Sequence, residues 1–386
     1  MTGLAVSFNP LDPDTLRDPY PVYAAMRATG APQWSELMDC WVVTSYRECK
    51  RVLVEHETFA ADWRRGGDTV PDAALNVHSL DPPEHTPLYR ELGTTLRHAA
   101  TTELPARIRA EVDRRLDALA GEPTNLITAF TEPLACWFLS EVLQIPPLDT
   151  PEIRSMGQAI HYAMDAGLVP AAHEPGRRAH RELAALIETW VAEAKPDQPL
   201  RAMMDRADEA GLDPRIVVNS VRTLVANAFT SLPSALGTTM YAVGRDETML
   251  RRLTDSAAFD RAAHELLRYE SPSQGTTRLA VADTTLSGVR IRRGQAVLAM
   301  VGAANHDPEE FEEPDRLRLD RWPNPHLAFG RGAHGCSATA LSLVLLRELL
   351  ATLADLRVSV RLTGDATHKR AATIRMLEIL PAVVIR

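Results

Sequence analysis

The chain has 386 residues, enough for one large domain or two smaller ones and ample for a sizeable core. Its formal net charge of −9, from 42 Lys+Arg and 51 Asp+Glu, argues against a general binder of nucleic acids or anionic membranes. Residues 1–10 contain neither a basic segment nor a long apolar one, so no signal peptide or membrane anchor is predicted. The four cysteines lack disulfide or zinc-type spacing, which favours a reducing cytoplasm.

The N-terminal region predicts a small mixture of helix and strand. An amphipathic run covers Tyr20 to Arg27, an apolar strand covers Cys40 to Thr44, and a helix follows from Tyr46 to Val54. Polar, turn-forming residues from Trp63 to Ala73 predict a loop. Asp81 is then expected to cap a helix whose first turn contains two prolines.

The middle of the chain, residues 104–270, is almost wholly helical in pattern, and no sheet-forming run interrupts it. Ile216 to Val243 is the longest candidate helix, and it is apolar nearly all round, as a helix through the centre of a large domain must be. Pro233 lies inside it. Because proline has no N–H for the carbonyl of Phe229, the helix should bend or open at this point.

A short motif closes the helical region, His264-Glu265-Leu266-Leu267-Arg268. It is not the H-E-x-x-H metalloprotease helix, because Arg268 stands where the second histidine must be. Glu265 and Arg268 share one helical face and can pair, and an ordinary surface salt bridge is the common alternative. Strands are expected next, at 284–291 and 296–301 around a turn at 292–294, and again at 357–363 and 375–386.

A glycine-rich loop at 326–338 ends against Cys336, and an apolar-periodic helix is predicted from Thr339 to Leu356. Cys336 therefore precedes a helix N-terminus, where backbone N–H groups and the helix dipole should lower the pKa of its thiol. Glycines also let the backbone approach a large flat ligand. A thiolate beneath such a ligand is what axial ligation of a heme iron requires.

Two other interpretations fit the same loop. Gly330 to Gly335 matches the G-x-G-x-x-G dinucleotide pattern, but two prolines in residues 321–325 leave no room for the buried strand that should precede it. Too little chain follows to complete a doubly wound sheet. The other alternative is a buried structural cysteine, and the loop alone does not decide between that and a metal ligand.

The order Phe329-x-x-Gly332-x-His334-x-Cys336 resembles the heme-binding loop of the cytochrome P450 (heme-thiolate monooxygenase) family. Glu265 and Arg268 match the family's E-x-x-R motif, which recruits a further arginine. Arg321 occupies the matching place, with Arg318 as the second candidate.

Residues 79–90 are similar to the family's D-P-P-x-H-T segment, in which a histidine and an arginine four residues later hold a heme propionate. His85 matches the histidine. Tyr89 stands in the arginine's position and Arg90 is one residue further, so this sequence departs from the pattern there.

The resemblance implies a mainly α protein with small β-sheets, the triangular helical prism of the P450 fold, with heme between the long central helix and the helix after the Cys loop. It implies one domain over 1–386, with a small β-containing N-terminal lobe at about 1–75 and a helical heme-binding body at about 76–386. The expected cofactor is heme b (iron protoporphyrin IX). The soluble bacterial type of the family further implies a cytoplasmic monomer.

The resemblance also assigns residues to the proximal side of the cofactor. Cys336 would be the metal ligand, with Phe329, Gly330 and Ala338 packed beside the heme. Ala338 stands where glycine is usual, and a methyl group should be tolerated at a helix start. The candidates for the propionates are His85, Arg278 and His334.

On the opposite, oxygen-binding side, the resemblance points to Ala226, Asn227, Phe229, Thr230 and Ser231. Thr230 matches the threonine that helps to deliver protons. Phe229 replaces the family's acidic residue and Asn227 replaces its glycine. Since oxygen activation needs protons, these would come through water, Thr230, Ser231 or the substrate. Such an arrangement favours the hypothesis of radical coupling over hydroxylation.

The predicted function is a heme-thiolate oxidoreductase that hydroxylates or oxidatively couples a small molecule of secondary metabolism. The sequence has no flavin or iron–sulfur segment, so electrons should come from ferredoxin and its reductase or from a flavodoxin-type donor. Arg331 would belong to the surface that meets this acidic partner. The alternative is a P450-like binding or recruitment module that has lost oxygen chemistry.

Overall fold

The computed structural model describes residues 8–386 and is mainly helical. The α-helices, in chain order, are α1 (Pro13–Arg17), α2 (Tyr20–Arg27), α3 (Tyr46–Val54), α4 (His85–Ala99), α5 (Leu104–Leu119), α6 (Glu132–Leu143), α7 (Pro151–Ala163), α8 (His173–Glu193), α9 (Pro199–Glu209), α10 (Pro214–Ala226), α11 (Ser231–Arg245), α12 (Ser256–Tyr269), α13 (Val301–Ala304) and α14 (Thr339–Asp355). Within these residues, no helix combines the length and apolar character needed to cross a membrane.

The strands found in residues 8–386 are short and form four small sheets. They are β1 (Gln33–Ser35), β2 (Cys40–Val43), β3 (Phe59–Ala60), β4 (Thr124–Asn125), β5 (Thr276–Ala280), β6 (Thr284–Leu286), β7 (Val289–Ile291), β8 (Ala296–Ala299), β9 (Ser359–Leu362), β10 (Thr367–His368), β11 (Leu377–Ile379) and β12 (Pro381–Ile385). The largest sheet has the order β1-β2-β8-β5-β3. Because β2 pairs in parallel with β8, this sheet joins the N-terminal strands to strands that follow α12.

Several predicted elements are confirmed with little change of boundary. The predicted helices at Tyr20–Arg27 and Tyr46–Val54 are α2 and α3, and the helix after Cys336 is α14. The buried face of α14 includes Leu345 and Leu349, whose side chains are fully enclosed. These residues pack in the main helical core, where α14 lies against α5 and α12. The loop before α14 is thus fixed to the most buried part of the molecule.

Other predictions need correction. The strand expected at 284–291 is a hairpin of β6 and β7, because Ser287 and Gly288 adopt positive φ angles of 43° and 82° and turn the chain. Strand β4 interrupts residues 104–270, which were predicted to contain no strand, and pairs antiparallel with β12. Two short 3-10 turns, Trp63–Gly66 and Asp72–Ala74, occupy much of the expected loop.

The central helix is broken, as predicted, but the break lies at Thr230. Helix α10 ends at Ala226, one 3-10 turn covers Asn227–Phe229, and α11 begins at Ser231. Thr230 has φ −127° and ψ −97°, outside the helical region. Pro233 lies in the first turn of α11, where a missing N–H costs no intrahelical hydrogen bond. The proline therefore starts the second helix, and the chain bends just before it.

Candidate functional site

The loop that carries Cys336 depends on two glycines with left-handed backbone, Gly330 at φ 66° and Gly332 at φ 73°. A Cβ on Gly332 would lie 2.8 Å from the carbonyl oxygen of Leu53, at the end of α3, so a side chain would push the loop off that helix. The N–H of Cys336 donates to the carbonyl of Phe329 at 2.8 Å. This bond folds the loop back on itself and fixes the cysteine just before α14.

The thiol of Cys336 is exposed, whereas Cys40, Cys49 and Cys136 are buried. Burial by the surrounding protein nevertheless raises the pKa of Cys336, and hydrogen bonds from Ala338 and Thr339 only partly oppose this. Because Cys336 keeps accessible surface although much of the protein surrounds it, we infer that it faces an internal cleft, defined here by Cys336, His85, His334 and Arg278. The expectation of a lowered pKa is wrong for the chain by itself, because desolvation of the anion outweighs the helix N-terminus. A coordinated metal cation reverses that balance.

Asp81 lies at the centre of a buried polar cluster next to the cysteine loop. It does not cap a helix as predicted, because α4 begins only at His85 and its first turn has no side-chain cap. Its carboxylate instead lies 2.9 Å from Nε2 of His334 and accepts the backbone N–H groups of Ala61 and Asp62. Burial raises the pKa of Asp81, but the hydrogen bonds from His334 and these N–H groups outweigh burial and hold the pKa below its ordinary value.

His85 and His334 lie side by side, with ring centroids 4.5 Å apart. Nε2 of His85 and Nδ1 of His334 are both buried without a hydrogen-bond partner among the described residues. Burial, followed by the charge of His334, lowers the pKa of His85 to about 4. A buried ring nitrogen without a partner is costly, so these two atoms indicate a missing polar ligand.

Arg278 on β5 completes the basic cluster. It is buried, and its Nη1 donates to the hydroxyl of Thr276 and the carbonyl of Thr277, both at 2.9 Å. Burial lowers its pKa while the charge of Asp81 raises it. His78, which the sequence did not single out, lies close enough to this cluster for its charges to act on it: burial of the ring and then the charges of His334 and Arg278 lower its pKa to about 4, although the residue keeps exposed surface. No local sequence motif around His78 predicts its position near the cluster.

These observations fit an iron porphyrin. A thiol lines one part of the cleft, while basic side chains with spare hydrogen-bonding capacity gather around a single carboxylate at its edge. Such an edge suits a group with two carboxylates, and a thiolate suits the iron.

Tyr89 takes the inner position in α4. Its ring centroid lies 5.1 Å from that of His85, and its hydroxyl lies 4.0 Å from where a Cβ on Gly335 would stand. Arg90 points outward, pairs with Glu91 at 3.2 Å and keeps 65% of its side chain exposed. The departure from the family pattern is therefore real in three dimensions, since Tyr89 faces the cysteine loop and no arginine of α4 takes its place.

The predicted oxygen-side residues lie at the break of the central helix. Ala226, Asn227 and Ser231 are partly exposed, whereas Thr230 is buried and donates its hydroxyl to the carbonyl of Ala226 at 3.2 Å. Phe229 differs from the others because its ring is buried against α7. A Cβ on Gly157 of α7 would stand only 2.5 Å from that ring, so the glycine makes room for it.

The Glu265–Arg268 pair is fully buried and is not a surface salt bridge. Nε of Arg268 lies 2.8 Å from the carboxylate of Glu265, and Nε of Arg321 lies 3.0 Å from it. The prediction that Arg321 is the recruited arginine is confirmed, while Arg318 contributes only its backbone N–H at 2.8 Å. This cluster ties α12 to the segment just before the cysteine loop. Arg331, in contrast, is exposed on the loop itself.

Comparison with known proteins agrees with this geometry. The family model described as cytochrome P450 matches residues 241–355. Nocardicin C N-oxygenase of Nocardia uniformis subsp. tsuyamanensis is 30% identical over 373 residues, which cover 90% of this chain and 91% of that protein. Cytochrome P450 monooxygenase PikC of Streptomyces venezuelae is 29% identical over 392 residues, covering 96% and 92%. The crystal structure of CalO2 superposes with a TM-score of 0.87 at 26% identity and covers 98% of both chains.

The fold and the site define a heme-iron oxidoreductase, mainly α with small sheets, as the sequence predicted. The chain belongs to the cytochrome P450 family. Its relatives are named as monooxygenases, oxygenases and hydroxylases, and it is an enzyme of this monooxygenase class. The alternative of a binding module without oxygen chemistry is accordingly set aside.

Proposed function

We propose that this monooxygenase binds heme b through Cys336 and oxidises a small molecule of secondary metabolism. The exposed thiol of Cys336 before α14 is the observation that carries the proposal, since the other three cysteines are buried. The substrate class is supported by relatives named for their action on mycinamicin IV and nocardicin C. When bound, the heme supplies the activation of dioxygen.

The chain's own residues then have separate tasks. His85, Arg278 and His334 would donate hydrogen bonds to the heme carboxylates, and Phe329 would pack beside the sulfur. Gly330 and Ala338 leave space for the flat ligand on the same side. On the oxygen side, Ala226 and Asn227 form an open surface, and Thr230 and Ser231 hold hydroxyl groups at the helix break that can relay protons.

A carbon monoxide difference spectrum of the reduced holoprotein tests the ligand. The native protein should show a Soret band at the thiolate position, and Cys336→Ser should lose it. Cys136→Ser, in the buried part of α6, is the matched control and should keep the band. A thiolate-type band that survives in Cys336→Ser would contradict the assignment, as would a native protein that binds no heme.

We propose further that electrons come from a separate donor in the cytoplasm, either ferredoxin with its reductase or a flavodoxin-type protein. Arg331 is exposed on the cysteine loop, next to the proposed ligand, and suits an acidic partner. Arg331→Glu should raise the KM for the donor and weaken its salt dependence, while Arg178→Glu on the remote, exposed face of α8 should not. Equal effects of the two changes would refute a docking role for Arg331.

Oxidative coupling is a second candidate reaction, supported by the residue at the helix break. Phe229 stands where the family has an acid and packs on Gly157, so it provides no carboxylate at the helix break. Protons must then come from hydroxyl groups, water or the substrate. Phe229→Asp should raise the share of hydroxylated over coupled product, and Phe229→Leu should not. An unchanged ratio and rate in Phe229→Asp would remove this candidate.

A further inference from the structure

Helix α10 has one face that is only partly covered, and an arginine lies on it. Arg222, Thr223, Ala226 and Asn227 share this face at helical spacing and are partly exposed, whereas the opposite face, including Val221 and Val225, is buried. Arg222 comes one turn before Ala226, so its Cα is about 6 Å along the axis from that residue. Its side chain therefore starts beside the proposed oxygen side of the cleft.

The guanidinium of Arg222 has no counter-ion. Its Nη2 donates to the carbonyl of Ala73 at 2.8 Å, and no carboxylate of residues 8–386 lies within ion-pair distance. Burial alone lowers its pKa. Arg278 is more deeply buried and also lacks an ion-paired carboxylate among the described residues, and there the proposed heme carboxylates would supply the negative charge. Arg222 is only partly buried and needs a different explanation, because partial desolvation of a charge without a counter-ion also costs free energy.

Anchoring the loop does not explain the charge. Asn219 already donates to the carbonyl oxygens of Asp72 and Leu75, at 3.2 Å and 3.0 Å, and Ser220 accepts the N–H of Val77 at 3.0 Å. These neutral side chains hold the 72–77 segment on α10. A neutral hydrogen-bond donor at position 222 could bind the Ala73 carbonyl equally well, so this contact does not require a positive charge.

A second side chain with an unused hydrogen-bonding atom lies on α8, the helix that packs against α10. His180 on α8 has a buried Nδ1 without a hydrogen-bond partner among the described residues. Burial and then the charge of Arg222 lower the pKa of His180. A neutral imidazole N–H beside a free guanidinium edge presents several donors to one ligand, and the planar edge matches a carboxylate.

We propose that Arg222, assisted by His180, is a recognition subsite for a carboxylate of the substrate. The inference rests on the proposed function, since it places this subsite in the same cleft. The carboxylate would be held slightly more than two helical turns from Thr230, about 12 Å along the axis, so oxidation would occur at an atom some distance from the acid group. Arg222 is thus a specificity-determining residue.

The test uses ferric holoprotein and optical titration of the Soret band. The probes are matched pairs of a carboxylate and its primary amide, decanoate with decanamide and indole-3-propionate with indole-3-propionamide. The native protein should bind at least one carboxylate more tightly than its amide. Arg222→Gln, which keeps a donor for Ala73, should weaken carboxylate binding about tenfold or more and leave amide binding nearly unchanged. Arg222→Lys should retain part of the preference.

Arg215→Gln is the matched control, because it removes the same charge from the exposed start of α10. His180→Leu should weaken carboxylate binding by a smaller, several-fold factor. The inference is overturned if no carboxylate binds up to millimolar concentration, if amides bind equally well, or if Arg222→Gln and Arg215→Gln have equal effects. The carbon monoxide spectrum of each variant reports the heme ligand separately, so failure of the subsite and failure of the proposed function are distinguishable.

Discussion

Replacing Glu265 by glutamine should destabilise the protein severely, although the change removes only a charge. The Glu265 carboxylate accepts Nε and Nη2 of Arg268 at 2.8 Å and 2.9 Å, Nε of Arg321 at 3.0 Å, the N–H of Arg318 at 2.8 Å and Nδ2 of Asn324 at 3.1 Å. Arg268 and Glu265 are 0% exposed and Arg321 is 6% exposed. The variant would leave two guanidinium groups buried without a negative charge.

The magnitude follows from this burial. Removing one partner from a buried ion pair costs about 3–5 kcal/mol, compared with a total stability of about 5–15 kcal/mol for a typical protein. For a chain of this length the unfolding entropy is about 0.8 kcal/mol/K, so a loss of about 4 kcal/mol lowers the Tm by about 5 °C. The cluster joins α12 to the segment before the cysteine loop, so heme retention should fall as well.

Urea unfolding followed by circular dichroism measures this loss, and heme absorbance measures retention. Glu174→Gln is the matched control, because Glu174 and Arg177 form an ion pair of the same i,i+3 spacing with both side chains exposed. It should leave the unfolding free energy nearly unchanged. If the unfolding free energies of Glu265→Gln and Glu174→Gln differ by less than about 1 kcal/mol, burial does not determine how much the cluster stabilises the protein, and the reasoning fails.

Three further changes test other parts of the structure. Gly332→Ala should lower both Tm and heme content, since its Cβ would stand 2.8 Å from the Leu53 carbonyl oxygen. The control Gly288→Ala has a similar φ but open space around the Cβ, so it should cost only about 1 kcal/mol of unfolding free energy. Equal losses in the two variants would contradict the close approach at Gly332. Gly157→Ala should lower the unfolding free energy by about 1–3 kcal/mol, because its Cβ would clash with Phe229. In urea unfolding, adding Phe229→Ala should recover part of that loss. If the effects of the two changes simply add, the contact between these residues is excluded. Asp81→Asn should destabilise at pH 7, because the lowered pKa of Asp81 contributes stability above about pH 4 that is lost as the pH falls. The difference in unfolding free energy from the native protein should therefore shrink between pH 7 and pH 3, and a constant difference would count against it.

Local patterns predicted the parts of the structure whose cause is local. Helices α2, α3 and α14 follow from apolar periodicity, and the Glu265–Arg268 pair follows from i,i+3 spacing. The motif resemblance located Arg321, far from Glu265 in sequence. Burial of this cluster was not readable from the spacing, because the same spacing is common on exposed helices.

The errors arise where neighbours distant in sequence decide the outcome. Asp81 looked like a helix cap, yet His334 and two backbone N–H groups claim its carboxylate. The pKa of Cys336 was expected to fall at a helix N-terminus, but the protein mass around the thiol raises it. His78 and Arg222 carry no motif, and only their surroundings in three dimensions give them significance.

The break in the central helix links the proposed chemistry to the proposed substrate. Phe229, which stands where the family has an acidic residue, is packed against Gly157 of α7. In the proposed mechanism, proton delivery would fall to Thr230, Ser231, water or the substrate. A carboxylate beside Arg222 would not serve, since a neighbouring guanidinium stabilises the ionised form and lowers the carboxylate's readiness to carry a proton. Its contribution is positional: it fixes one end of the substrate, so that the hydroxyl groups at the break face the atoms to be oxidised.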